Sequence, residues 1–299
     1  MRERFLSICR SHISLIAFCV LGLIWGSNFI YMKISTDYLS ALQIVYMRVL
    51  FGFIAVFFYS LYYKKLRLSD LRHSVHFFVM SLLATSVYYF CFVKGTALLL
   101  SGIAGAVSAS IPLFTFMLSV IFLPEEKVTL RKLSGITLGL LGVVIIALPS
   151  GDSLLSANVK GVLYIIAGAF SLGASFVYAK KFISPLNINP SALVTYQLSY
   201  ALVVLAVIVD YNNLDNIFIN TNAALGLIIG LGALGTGVAY IIYYFLVAKL
   251  GPITASSATY VPPLVALVIG AVLVGEPIAL NDYIASALIL AGVFLLKRK

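Results

Sequence analysis

The sequence predicts an all-α membrane protein: ten transmembrane helices forming two inverted five-helix repeats around a central cavity. Three observations carry this expectation. Of 299 residues, 62% are hydrophobic and only 10% are charged, whereas a soluble domain carries about 25% charged residues. The apolar residues fall into runs long enough to cross the ~30 Å hydrocarbon core of a bilayer, which takes about 20 residues of helix. The second half of the chain also repeats the first.

Uncharged runs bounded by charges or turn residues give spans 13–34, 42–63, 75–94, 101–123, 130–148, 160–183, 191–210, 223–246, 254–274 and 281–296. The first run starts near Ile13 and lacks a small-residue cleavage site, so it reads as a span and not as a cleaved signal. The second ends at Lys64 and Lys65, and the third ends at Lys94. Between the third and fourth, Lys94-Gly95 is the only punctuation before three leucines, Leu98 to Leu100. The fourth closes on Pro124-Glu125-Glu126, the fifth and sixth are parted by the polar stretch up to Lys160, and the sixth ends near Lys180 and Lys181. The seventh follows Pro190, the eighth runs toward Lys249, the ninth stops before Glu276 and the tenth before Lys297. Nothing is left over for a soluble domain.

The formal net charge of +10 does not point to nucleic acid, because the Lys and Arg residues sit between apolar runs and not on one face. With a cytoplasmic N-terminus, one side collects 16 basic residues: Arg2, Arg4, Arg10, Lys64, Lys65, Arg67, Arg72, Lys127, Arg131, Lys132, Lys180, Lys181, Lys249, Lys297, Arg298 and Lys299. The other side receives Lys33, Lys94 and Lys160, and Arg48 lies inside a span. That split obeys the positive-inside rule only when the span count is even and both termini are cytoplasmic; the expected location is a cell inner membrane.

Shifting the chain by 151 residues lays Thr85, Val87, Tyr89, Ala97, Leu99, Ala104, Pro112, Leu113 and Glu125 onto Thr236, Val238, Tyr240, Ala248, Leu250, Ala255, Pro263, Leu264 and Glu276. Near the start of each half, residues 26–33 overlie 173–180 with Gly, Phe, Tyr and Lys at the same offsets. The halves are 1–150 and 151–299. Five spans per half force the second half into the bilayer upside down, and inverted repeats around a midplane site are a recurrent transporter architecture.

The Trp25–Phe29 segment (WGSNF), Arg48 in the second span, and the run from Ala106 to Ser119 closed by Pro124-Glu125-Glu126 resemble the EamA domain of the drug/metabolite transporter superfamily. Its second copy runs from Ala255 to Glu276. The resemblance covers nearly the whole chain as two tandem domains. It implies a ten-helix fold in which helices 1–4 and 6–9 enclose the cavity and helices 5 and 10 stay peripheral. The superfamily handles amino acids, sugars, nucleotide sugars, cations and drugs.

Arg48 is the one formal charge well inside an apolar run. Such a residue faces a cavity or a partner, so it either meets a substrate carboxylate or phosphate, or ties down neighbouring carbonyls. Trp25, Tyr46, Tyr89, Tyr178, Tyr240 and Tyr260 supply aromatic walls with polar tips, though interfaces attract Tyr and Trp on their own. Trp25 falls mid-span, where its indole N–H needs an internal partner. Asn28, Ser108, Ser110, Ser175 and Gln197 are mid-span polar groups that either line the pocket or join helices. Pro112, Pro262 and Pro263 interrupt spans four and nine at matching depth, each removing a backbone donor, as hinges or cavity kinks.

No Asp or Glu lies in the central third of a span, which argues against a proton-coupled cation antiporter. His12, His73 and His76 sit near span ends with no buried carboxylate to join, so an enzyme is not expected. Cys9, Cys19 and Cys91 form no C-x-x-C pair and read as small buried hydrophobes. Lys33 and Lys180 are repeat mates at opposite mouths, snorkelling or attracting anions. The expected partners are a small-molecule substrate and the lipid bilayer, with a homodimer left open; no nucleic acid, cofactor or metal is implied. A lone deep arginine with aromatic walls fits export of amino acids or related carboxylates. Nucleotide sugars, phosphorylated solutes, drug-like compounds, or a receptor or scaffold role are the alternatives.

Overall fold

A computed structural model describes residues 2–123, 129–147, 155–275 and 280–297, and every regular element among them is helical. In chain order the rods are α1 (Ile13–Ser35), α2 (Ala41–Tyr62), α3 (Leu68–Leu98), α4 (Ser101–Phe122) and α5 (Leu130–Ala147). They continue as α6 (Val159–Leu186), α7 (Pro190–Ile208), α8 (Thr221–Leu250), α9 (Pro252–Val272) and α10 (Leu280–Lys297). Over the described residues eight of them, α1 to α4 and α6 to α9, are long and apolar enough to cross a membrane. Large apolar side chains such as Phe58, Ile121, Val207 and Val272 are exposed on the outside of the bundle, a surface that only lipid can cover without penalty.

The third rod outruns its expected limits of 75–94, because the 3₁₀ turn Leu68–His73 joins it at one end and the helix continues to Leu98 at the other. The weakly punctuated leucine stretch breaks at Leu99 and Leu100, both of which are extended. Lys33 explains the stop. Its Nζ donates to the carbonyls of Thr96, Ala97 and Leu99 at 3.3, 3.3 and 2.9 Å, satisfying orphan acceptors at a helix C-terminus with a cation.

Ser40 and Gln43 form a capping box that starts α2. The same Gln43 amide donates to the carbonyls of Asp210 and Asn212, beyond the end of α7, at 2.9 and 2.8 Å. At the opposite end, Arg67, just past α2, is bonded to Tyr196 in the second turn of α7. So α2 and α7 run antiparallel.

The packing pairs are α2 with α7 and α8, α7 with α3, α3 with α6, α8 with α1, α4 with α6, α9 with α1, α4 with α9, and α5 with α10. Small residues permit the tightest crossings. A Cβ on Gly26 of α1 would lie 2.5 Å from Val265 of α9, and one on Gly292 of α10 would lie 2.7 Å from the Gly139 nitrogen of α5.

Several rods are not regular α-helix. α3 carries a π segment at Leu82–Ser86 and α8 a longer one at Gly226–Val238. α4 breaks at Ala109–Ser110 and restarts with Pro112 in its first turn. α9 passes through a 3₁₀ turn, Ser257–Tyr260, into a segment that opens with Pro262 and Pro263. Proline has no N–H to donate backward, so each break falls where the missing bond is tolerated. One expectation fails on the surface: Cys91 is buried but Cys19 is exposed, because it lies on the outer face of α1, where a small apolar side chain can meet lipid. Glu125 and Glu276, Lys127, Arg298 and Lys299, and the side chains of Cys9 and His12, lie outside the described residues.

Candidate functional site

Three helices, α1, α2 and α3, converge on the middle of α8. The Gly235 carbonyl lies within the π turns of Gly226–Val238, a widening common at functional positions, and accepts side-chain donors. Trp25 Nε1 of α1 donates to that oxygen at 3.3 Å and Tyr89 OH of α3 donates to it at 3.5 Å. Asn28, one turn beyond Trp25, lies against Gly235 so closely that a Cβ there would sit 2.5 Å from its Oδ1. Only glycine fits.

Arg48 of α2 arrives from the other side. It is 1% exposed, and its Nε donates to Thr236 Oγ1 at 3.3 Å. Its Nη1 contacts Met32 Sδ at 3.7 Å, and its guanidinium carbon stands 3.5 Å over the Tyr89 ring centroid. Burying a charge at membrane depth costs about 2.5–3.5 kcal/mol on insertion scales, of which a desolvated cation–π contact returns about 2 kcal/mol. Nη2 has no hydrogen-bond partner, and neither do Asn28 Oδ1, the Tyr240 hydroxyl, Ser86 Oγ or Ser110 Oγ. Buried polar atoms are nearly always paired, so these unpaired ones stand out within the bundle.

An aromatic wall closes the site. Trp25 meets Tyr240 at 6.4 Å and Tyr243 at 6.5 Å between centroids, and Tyr240 meets Tyr89 at 6.2 Å and Tyr243 at 5.5 Å. Trp25, Tyr89, Tyr240 and Tyr243 are each 3% exposed or less. The expected open cavity is therefore filled with rings in this conformation, since apolar faces pack against one another when no solute separates them.

A second polar group joins the opposite half. Gln197 of α7 donates from Nε2 to Thr85 Oγ1 at 2.7 Å and accepts from the Tyr244 hydroxyl. Ser175 of α6 bonds the Tyr243 hydroxyl at 3.1 Å. The structure thus brings together Trp25, Asn28, Arg48, Tyr89, Ser175, Gln197 and Tyr240.

The remaining expected residues lie elsewhere. Tyr46, two residues before Arg48 and on another face of α2, pairs with Tyr211 at 5.6 Å. Tyr178 bonds His76 Nδ1 through its hydroxyl at 2.7 Å, at the basic end of α6. Tyr260 is half-buried and makes no ring contact with the aromatic wall. Ser108 turns back onto the Gly105 carbonyl at 2.5 Å and so belongs to its own helix. Pro112, Pro262 and Pro263 are buried where α4 and α9 restart.

Sequence reasoning missed Gly235, Thr236 and Met32. Thr236 was visible as the repeat mate of Thr85, and the glycine-rich stretch 230–237 signals close approach. Among the described residues no three His, Cys, Asp or Glu side chains group as a metal would need.

Comparison with known proteins places the chain among membrane transporters. The sequence matches the EamA-like transporter family over residues 12–148 and again over 159–298. It is 28% identical to an "uncharacterized transporter" of Archaeoglobus fulgidus over 92% of this chain and 95% of that one. It is 25% identical to the Bacillus subtilis transporter YdfC, over 98% and 92%, and 27% identical to the Escherichia coli inner membrane transporter YedA, over 93% and 89%. A solved crystal structure with a TM-score of 0.65 and 21% identity covers 95% of this chain and 96% of its own, a likeness of fold.

Proposed function

The chain belongs to the EamA-like transporter family, and from that premise we propose that it exports an amino acid or related carboxylate-bearing metabolite across the inner membrane. Ten spans in two inverted halves, 1–150 and 151–299, alternate the access of one central site, with both termini cytoplasmic.

The observation that carries the substrate reading is Arg48: a fully buried guanidinium stacked on Tyr89 with Nη2 unpaired. A carboxylate supplies the acceptors that this nitrogen lacks. Asn28 Oδ1 and the Tyr240 hydroxyl, likewise unpaired, suit the ammonium and polar groups of the same solute. The ring-lined wall suits an apolar side chain. A phosphorylated solute would call for more deep cations than one.

Support for two inverted halves comes from the packing. The antiparallel course of α2 and α7 fits the two being repeat mates. Exchanging halves turns α2 on α8 into α7 on α3, α3 on α6 into α8 on α1, and α4 on α6 into α9 on α1, all of them observed pairs.

The test is flux into proteoliposomes. Labelled amino acids, nucleotide sugars and organic cations are compared in parallel, and saturable amino-acid movement that competing amino acids suppress is the expected result. Movement of nucleotide sugars or cations alone would replace the substrate class. A folded protein that moves none of them would be a receptor or scaffold.

A further inference from the structure

The basic end of the bundle contains a cleft that the transport reading does not use. It has a volume of about 440 Å³ and lies between the α2–α3 and α6–α7 connections. Lys64, Lys65, Arg67 and Arg72 line it, against a single carboxylate, Asp70. Among the described residues none of these four cations forms an ion pair; Arg72 Nε instead donates to His73 Nε2 at 2.9 Å.

The loop is held in shape. Tyr196 OH accepts from the Arg67 N–H at 3.0 Å and donates to the Arg67 carbonyl at 2.8 Å, while its ring stacks on Phe77 at 5.0 Å. Lys64 takes a left-handed φ of 49°, uncommon for a residue with a side chain, and the Lys65 N–H returns to the Ser60 carbonyl at 2.8 Å. On the far wall Asn187 also adopts φ 51°.

The 3₁₀ turn Leu68–His73 sorts its residues by chemistry. With three residues per turn, positions i and i+3 eclipse. Ser69 and Arg72 therefore share a face, and both line the cleft. Leu68 and Leu71 share another, and they are 86% and 41% exposed. Tyr62 and Tyr63, 80% and 53% exposed, continue that apolar margin. Cations in a concavity beside an exposed apolar rim match a molecule with an anionic head and hydrocarbon tails.

We propose that this cleft binds the phosphate headgroup of an anionic phospholipid, with Arg67, Arg72, Lys64 and Lys65 around the phosphate and Leu68 and Leu71 against the acyl chains. The site is independent of whatever the centre of the bundle carries.

The test uses the full-length protein in detergent, with thermal stability and native mass spectrometry as readouts. Phosphatidylglycerol raises the melting temperature and stays bound, while phosphatidylcholine and inorganic phosphate do neither. Arg67→Gln with Arg72→Gln weakens phosphatidylglycerol binding by about tenfold or more, and Lys180→Gln with Lys249→Gln, which removes equal charge from the same end, leaves it intact. Tyr196→Phe, which changes no charge, weakens it by releasing the loop. The proposal fails if phosphatidylcholine or free phosphate matches phosphatidylglycerol, if both charge-removing pairs act alike, or if the arginine pair changes nothing.

Discussion

Arg48 and Gln197 hold equivalent places in the two halves. Arg48 donates to Thr236 at 3.3 Å and Gln197 donates to Thr85 at 2.7 Å, and the two threonines are repeat mates inside the π segments of α8 and α3. One position keeps a charge and the other a neutral amide, so the halves share a scaffold and differ in chemistry at the point where they face the site.

Arg48→Ala should abolish transport without loss of folded protein, with flux falling at least about 30-fold, the equivalent of the ~2 kcal/mol lost when one partner of a buried charged contact is truncated. Arg48→Lys should fall between, since an ammonium cannot lie flat on Tyr89. Proteoliposome flux normalised to monodisperse protein measures this, and unchanged flux in Arg48→Ala would assign the arginine to structure alone.

Gln197→Leu keeps the volume but strands the Tyr244 hydroxyl and Thr85 Oγ1. Interhelical hydrogen bonds in membranes contribute on the order of 0.6–1.7 kcal/mol each, so the melting temperature should drop by several degrees. A melting curve equal to that of the parent would mean the two bonds are replaced by others.

Gly292→Ala drives a methyl to 2.7 Å from the Gly139 nitrogen. Backbone cannot swing aside as a side chain does, so α5 and α10 must part, with an expected loss of about 1–3 kcal/mol typical of overpacking. Flux per folded molecule should stay the same, because neither helix contributes to the Arg48 site. A stable variant with reduced flux would contradict that.

Transport should persist when an uncoupler collapses the proton gradient. Among the described residues Asp37, Asp70, Asp210 and Asp215 stand at helix ends or in loops, away from Arg48, and none is placed to carry a proton through the centre. Complete loss of flux in the presence of uncoupler would overturn this.

Much of the architecture was legible because apolar length and repeat spacing are one-dimensional signals. The limits of α2, α4 and α7 lie within two residues of those read from the sequence. Placement was legible where a residue is expensive to bury: Arg48, Trp25, Asn28 and Gln197 are all buried inside the bundle. Tyr46, Tyr178 and Tyr260 did not converge, since a tyrosine serves equally well at a membrane rim, at a mouth or at a site. Gly235 escaped notice because its part is played by a backbone carbonyl oxygen, which every residue has.

The π turns of α8 have a further consequence. A widened helix carries surplus chain, so a one-residue deletion within 226–238 could be absorbed by reverting to ordinary α-helix, leaving Tyr240 and Tyr243 aimed as before. The same deletion in α2, whose turns are regular, has no slack to draw on and would swing Arg48 by about 100° around its axis. Tolerance to indels is thus distributed unevenly along the bundle, generous in the helix that receives the converging side chains and absent in the helix that sends the cation.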